Sequence, residues 1–229
     1  MKRIHSALLL DLDGTLLDTA PDMGGALNRL RGESGLAPLP AAVIRPVVSH
    51  GAMRLVKLGF PDAEGDEFER LRLRFLELYS QFLAVDTQLF PGIEAVLAEL
   101  EERAIPWGVV TNKPGWLTDP LMAALGLDRR AACIVSGDTV AERKPHPLPL
   151  LHAAERIGLA PSDCLYVGDA ERDIQAGRAA GMTTVVAAYG YISSDDEPER
   201  WDPTGIVEHP LELLDWIGLP LARAAGGPT

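Results

Sequence analysis

Short, unbroken apolar runs that stop on acidic, hydroxyl or amide residues constrain this chain more than any other feature. Ala7-Leu8-Leu9-Leu10 runs into Asp11-Leu12-Asp13-Gly14-Thr15. The same pattern recurs at Trp107-Gly108-Val109-Val110, at Cys133-Ile134-Val135 and at Cys164-Leu165-Tyr166-Val167, and Thr183-Thr184-Val185-Val186-Ala187 adds a β-branched run. Runs this short, bounded by turn residues, suit strands buried on both faces, as in a parallel sheet. Helix-period segments lie between them, at 93–103, 117–125, 148–157 and 174–180. Alternating strands and helices predict an α/β fold with a doubly wound parallel sheet.

Residues 17–86 break the rhythm. Thr19-x-x-Asp22, with Pro21 in the first turn, reads as a helix start with a capping box. Further helical stretches are expected at 41–48, 52–58 and 67–84, the last with Phe68, Leu71, Phe75, Leu78 and Phe82 on one face. No strand is expected there. The chain therefore divides into an α/β core of residues 1–16 and 87–229 and an inserted α-helical domain of residues 17–86, with 87–91 returning to the sheet. The tail 224–229 is expected to fray.

The 229 residues suffice for a real core without disulfide staples. Lys and Arg number 21 against 33 Asp and Glu, a net charge of −12. That balance argues against nucleic-acid binding, which calls for a basic patch. It still permits a small anionic substrate wherever the site is locally positive, because salt screens the global field beyond about 8 Å. No apolar run approaches the roughly 18–20 residues that span a bilayer, and no signal peptide is expected. Cys133 and Cys164 read as buried thiols of a reducing compartment, so the expected location is cytoplasmic.

In parallel sheets ligands bind beyond the carboxyl ends of the strands. Those ends bring Asp11 and Asp13, Thr111-Asn112-Lys113, and Gly168-Asp169-Ala170-Glu171-Arg172-Asp173 to one edge, with Lys144 just before a helix. Carboxylates that converge repel one another unless a cation joins them, and hard oxygen ligands favour Mg²⁺. One of the paired aspartates can attack phosphorus, while the other protonates the leaving alcohol and then activates water. Thr111 can donate its hydroxyl, and Lys144 can offset charge on the phosphoryl group.

With those residues in place, the sequence resembles the haloacid dehalogenase-like phosphatase superfamily. The match is four ordered motifs: Asp11-Leu12-Asp13-Gly14-Thr15, Thr111-Asn112, Lys144-Pro145 and Gly168-Asp169-x-x-x-Asp173. The resemblance implies a Rossmann-like core and a helical cap closing over the site. It implies that Asp11 is the nucleophile and Asp13 the general acid/base, with Thr111, Asn112 and Lys144 binding the phosphoryl group. It places Mg²⁺ on Asp11, Asp13 (through its main-chain carbonyl) and Asp169, with Asp173 in support.

The second aspartate disfavours dehalogenation. Leu17-Asp18-Thr19-Ala20-Pro21-Asp22 and Thr111-Asn112-Lys113-Pro114 look like the phosphoglycolate phosphatase group. Val47-Val48-Ser49-His50-Gly51-Ala52, Trp107 to Val110 and Tyr189-Gly190-Tyr191-Ile192 look more like the N-acetylmuramic acid 6-phosphate phosphatases. Arg172 departs from the phosphoglycolate pattern, which usually has Asn there.

The expected function is hydrolysis of a small phosphorylated metabolite through an aspartyl phosphate, of phosphoglycolate phosphatase type. The amino-sugar phosphatase and a phosphoglucomutase-like isomerase are the alternatives, and a non-catalytic binding protein is the third class. Arg45, Ser49, His50 and Arg54 are the expected substrate-specificity residues, and either arginine would suit a substrate carboxylate. His5, His146, His152 and His209 have no partners at metal-ligand spacing and are expected to be non-catalytic. The sequence says nothing of oligomeric state.

Overall fold

A computed structural model describes residues 4–219; the expectation for 224–229 lies outside them. The chain forms β1 (Ala7–Leu10), β2 (Leu17–Asp18), α1 (Ala20–Glu33), α2 (Ala41–Ile44), α3 (Gly51–Gly59), α4 (Gly65–Gln81), β3 (Gln88–Leu89) and α5 (Ile93–Glu102). It continues through β4 (Trp107–Val110), α6 (Gly115–Ala124), β5 (Cys133–Val135), α7 (Leu148–Ile157), β6 (Cys164–Gly168), α8 (Glu171–Ala179), β7 (Thr183–Ala187), β8 (Gly205–Val207) and α9 (Leu213–Trp216).

Six strands form one parallel sheet in the order β5-β4-β1-β6-β7-β8. The doubly wound architecture read from the apolar runs is therefore the one observed. The runs are apolar throughout because both faces are covered. Leu8 and Leu10 enter one core cluster with Leu165 and Val167, while Ala7 and Leu9 enter a second with Cys164 and Tyr166 on the opposite face. The period of two along each strand feeds the two layers alternately. Strand order reverses about β1, so the carboxyl ends of β1, β4 and β6 form the crevice where ligands bind in such sheets.

β8 was not legible in the sequence. It is three residues long and follows an irregular stretch, and its Gly205 is required because a Cβ there would lie 2.4 Å from the Trp216 ring. β2 is a second difference. Leu17 pairs with Leu89 and Asp18 with Gln88 in an antiparallel ribbon, which joins the points where the chain leaves and re-enters the sheet layer.

Between β2 and β3 the described residues form helices and turns only. The helix expected over 41–48 stops at Ile44 and continues as a 3-10 turn over Arg45–His50. Pro46 lacks the N–H that would bond the previous turn. The helix expected over 67–84 is α4, which ends at Gln81 and buries Phe75, Leu78 and Tyr79. Phe75 joins the same continuous core cluster as Leu8 of the sheet.

The helix start at Thr19 is observed, but not its capping box. The Thr19 side chain makes no cap bond and donates instead to Asp13. The buried Asp22 carboxylate accepts the main-chain N–H groups of Val85, Asp86 and Thr87 and the Thr87 hydroxyl. It ties α1 to the segment returning to the sheet, and the chain turns there through Ala84 at φ +56°.

Candidate active site

Asp11 follows β1 and is buried. Its backbone N–H bonds the Val167 carbonyl of β6, so the nucleophile candidate is held by the sheet itself. Lys144 reaches it from the loop between β5 and α7, with Nζ 2.8 Å from Asp11 Oδ1 and 2.7 Å from Asp173 Oδ1. The same ammonium donates to the Val110 carbonyl and the Tyr166 hydroxyl, both at 2.8 Å. Burial pushes the Asp11 carboxyl above its usual range; Lys144 opposes that shift and Asp173 adds to it.

Asp169 follows β6. Its Oδ2 accepts the Ser49 hydroxyl (2.5 Å) and the Tyr191 N–H (3.0 Å), while its Oδ1 is buried with no hydrogen-bond partner among the described residues. Burial, with the charges of Asp11 and Asp173 added, raises its pKa from 3.8 to about 7. Gly14 makes this packing possible. It sits at φ +87°, and a Cβ there would lie 2.0 Å from Asp169 Oδ2.

Asp11, Asp169 and Asp173 each offer a carboxylate oxygen within 4.8 Å of the others, all buried. Mutual repulsion, hard oxygen donors and an orphaned Asp169 oxygen together fit a Mg²⁺ ion. Asp173 is already engaged, one oxygen by Lys144 and the other by the Ala170 N–H (3.1 Å), which suits support rather than direct ligation.

Asp13 is held by a separate set of contacts. Thr19 Oγ1 donates to its Oδ1 (2.7 Å), and Lys113 Nζ lies 2.9 and 3.1 Å from its two oxygens. Lys113 also donates to the Tyr79 hydroxyl of α4 at 3.0 Å. Burial works against the Lys113 charge, but Asp13 and Tyr79 more than compensate and hold its pKa above the ordinary value. Lys113 and Tyr79 were missed as site residues. Nothing local shows that Lys113 meets an aspartate 100 positions away, or that a helical tyrosine 34 positions away meets Lys113.

Thr111 is buried, and its Oγ1 accepts the Lys113 N–H (3.1 Å), which leaves the hydroxyl hydrogen free to donate. Asn112 uses both ends of its amide on the main chain of Lys144, donating to the carbonyl (2.9 Å) and accepting from the N–H (3.0 Å). It thus aims Lys144, the residue expected to bind phosphate beside it.

A cavity of about 880 Å³ opens between the strand ends and the helices, with Asp11, Asp13, Thr111 and Arg172 in its wall. Ser49, His50 and Arg54 line it. Arg45 does not: its guanidinium sits 2.9 Å from Asp18 and 4.9 Å over the Tyr191 ring. Burial and the neighbouring Arg172 charge hold His50 below its usual pKa. Arg72 and Arg143 line the cavity too, although Arg72 is paired with Glu69.

The haloacid dehalogenase-like hydrolase family model matches residues 5–181. The chain belongs to this family. It is 47% identical over 218 residues to a phosphoglycolate phosphatase of Xanthomonas campestris pv. campestris, covering 95% of this chain and 99% of that one. It is 45% identical over 208 residues to an N-acetylmuramic acid 6-phosphate phosphatase of Pseudomonas putida, covering 90% and 93%. Among solved structures, a predicted phosphoglycolate phosphatase from Haemophilus somnus superposes with a TM-score of 0.81 at 27% identity, covering 92% of this chain and 97% of that one. The protein is thus a family hydrolase that resembles phosphoglycolate phosphatases in sequence. No described helix is long and apolar enough to cross a membrane.

Proposed function

We propose that the protein is a Mg²⁺-dependent phosphomonoesterase acting on a small phosphorylated metabolite through an aspartyl phosphate on Asp11. The observation that carries this reading is the pairing of a buried Asp11, held by Lys144, with an Asp13 that faces the same cavity. Asp11 needs no base to become a nucleophile. Its oxygen bonds to phosphorus as the ester oxygen leaves with the electron pair and takes a proton from Asp13. Asp13 then accepts a proton from the water that attacks the acyl phosphate. The Thr111 hydroxyl and Lys144 meet the charge on the phosphoryl oxygens.

Asp11, Asp169 and the Asp13 main-chain carbonyl, with Asp173 in support, would hold the Mg²⁺ ion, whose charge when bound offsets the clustered carboxylates and the phosphoryl oxygens. In this reading residues 17–86 are the cap and 1–16 with 87–229 the catalytic core. The cap excludes water and reads the leaving group, through Ser49, His50 and Arg54. The two free, buried cysteines are consistent with a cytoplasmic, reducing setting.

Phosphoglycolate is the substrate that the 47% relative's name supplies. One observation favours the second reading, an amino-sugar acid phosphate as named for the 45% relative. A cavity of about 880 Å³ with Met53, Leu73 and Trp116 in its wall is far roomier than a two-carbon acid requires. Both candidates bear a carboxylate, which suits Arg54.

Phosphate release from 2-phosphoglycolate and N-acetylmuramic acid 6-phosphate, measured side by side with Mg²⁺ and with EDTA, tests the reading. Mg²⁺-dependent release that disappears in Asp11→Asn is expected, and the preferred ester assigns the substrate. Wild-type turnover in Asp11→Asn would overturn the mechanism. A requirement for a bisphosphate activator, with no phosphate released, would favour the isomerase.

A further inference from the structure

Lys144 donates hydrogen bonds to the Val110 carbonyl and the Tyr166 hydroxyl and pairs its charge with Asp11 and Asp173, all within 2.8 Å. Lys113 is likewise committed, to both oxygens of Asp13 and to Tyr79. Each lysine supplies charge at the site, but Lys113 has no hydrogen left for an incoming phosphoryl oxygen and Lys144 has only one beyond its two hydrogen bonds. Phosphoryl transfer needs donors aimed at all the oxygens that gain charge.

Arg172 is in a different position. It stands in the first turn of α8, with its side chain only 22% exposed and its guanidinium in the cavity wall. Its Nη2 donates to the Ser49 carbonyl at 2.7 Å. The other guanidinium hydrogens have no acceptor among the described residues. Nη2 also lies 4.0 Å from Asp11 Oδ2, too far for a hydrogen bond yet next to the oxygens of a phosphoryl group seated on Asp11. A largely buried guanidinium with unmet donors beside a nucleophile is an arrangement that an oxyanion completes. Arginine's planar fork matches phosphate oxygens better than an ammonium does.

We propose that Arg172 is a phosphoryl-binding catalytic residue of this chain, aimed at the group on Asp11 by the Ser49 carbonyl. This rests on the phosphomonoesterase reading and adds a residue to it. Ser49 is held twice by one segment, through its carbonyl on Arg172 and its hydroxyl on Asp169. Seating the helical segment on the core therefore also sets the direction of the guanidinium.

The test uses the full chain with Mg²⁺ and orthovanadate, a phosphate mimic whose binding is read by calorimetry without turnover. Kinetics on p-nitrophenyl phosphate and on the preferred metabolite ester accompany it. Arg172→Asn is expected to weaken vanadate binding about tenfold or more. It should lower kcat/KM by a similar factor for both esters, because they share only the phosphoryl group. Arg172→Lys should recover part of the loss, and Mg²⁺ should bind Arg172→Asn at least as tightly as wild type, because the lost positive charge faces Asp11, Asp169 and Asp173. Arg172→Gln serves if the Asn variant does not fold.

Unchanged vanadate affinity, or a loss confined to one ester, would overturn the proposal and leave Arg172 as a contact to the helical segment or to the leaving group. A wild-type protein that releases no phosphate from any ester would instead overturn the phosphomonoesterase reading beneath it. Wild-type turnover with unaltered vanadate binding in the variants would overturn the Arg172 role alone.

Discussion

Lys113 grips Asp13 by both carboxylate oxygens, at 2.9 and 3.1 Å, while its third hydrogen goes to the Tyr79 hydroxyl at 3.0 Å. The acid/base candidate is thereby tied to α4, which lies across the cavity from the sheet. Tyr79 accepts from Lys113, and its own hydroxyl hydrogen has no acceptor among the described residues.

Tyr79→Phe keeps the ring stacked on Phe75 and removes only this link. Turnover of alkyl phosphates should fall about tenfold, less than the roughly 10²–10⁴-fold that removing the acid/base group costs, because Lys113 still holds Asp13. The burst of nitrophenol from p-nitrophenyl phosphate should change little, because that leaving group needs no proton. An equal loss on both substrates would show that the link is structural.

Asp13→Ala should reduce steady-state turnover of alkyl esters by about 10²–10⁴-fold, the usual scale for a positioned acid/base. Phosphate binding should survive. Rapid-quench detection of phosphorylated protein checks where the block falls.

Asp169 ties stability to pH in metal-free protein. Its folded pKa of about 7 lies above the ordinary 3.8, so the folded state holds the proton more tightly than the unfolded state does. Its contribution is complete below about pH 4 and is lost as pH rises through 7. Asp169→Asn removes the group that must ionise. In EDTA, the stability of Asp169→Asn relative to wild type should therefore climb between pH 4 and 7. Urea melts across that range check it, and Mg²⁺ at neutral pH should restore wild type but not the variant.

Asp22 touches no substrate, yet its carboxylate satisfies three backbone N–H groups and a hydroxyl. Asp22→Ala leaves buried donors orphaned and should cost about 3 kcal/mol or more, read as a lower urea midpoint. Asp22→Asn, with one acceptor oxygen, should fall between the two.

Arg54 lines the cavity and is exposed, without a hydrogen bond or ion pair among the described residues. Arg54→Ala should raise KM for carboxylate-bearing esters several-fold, with kcat nearly unchanged and p-nitrophenyl phosphate unaffected. Steady-state kinetics on the two classes decide it; equal effects would remove Arg54 from substrate recognition.

The sheet and its acidic edge were legible because both follow local rules. A run such as Ala7–Leu10 can be apolar throughout only where both faces are covered, and the residue that ends it lies at the sheet's carboxyl edge. The helices were legible from their period, and their ends moved where one residue intervened, as at Pro46. β8 and the two-residue ribbon of Leu17–Asp18 were not, since two or three residues carry no period to read.

The sequence alone thus determined the layered α/β architecture and the placing of Asp11, Asp13, Thr111 and Asp169 just past strand ends, with Lys144 and Asp173 in the segments that follow. Tertiary structure decided which charges meet. Lys113 pairs with Asp13 because β4 lies beside β1, and Asn112 turns to the Lys144 main chain because the loop after β5 passes alongside. Arg45 goes to Asp18 rather than the cavity, Asp22 holds a returning loop rather than a helix end, and Arg172 meets Ser49 across 123 positions. Hydrophobic patterning is a property of neighbours along the chain. The partner of a buried charge is a property of strand order and of how the helical segment is seated, which no local stretch of sequence contains.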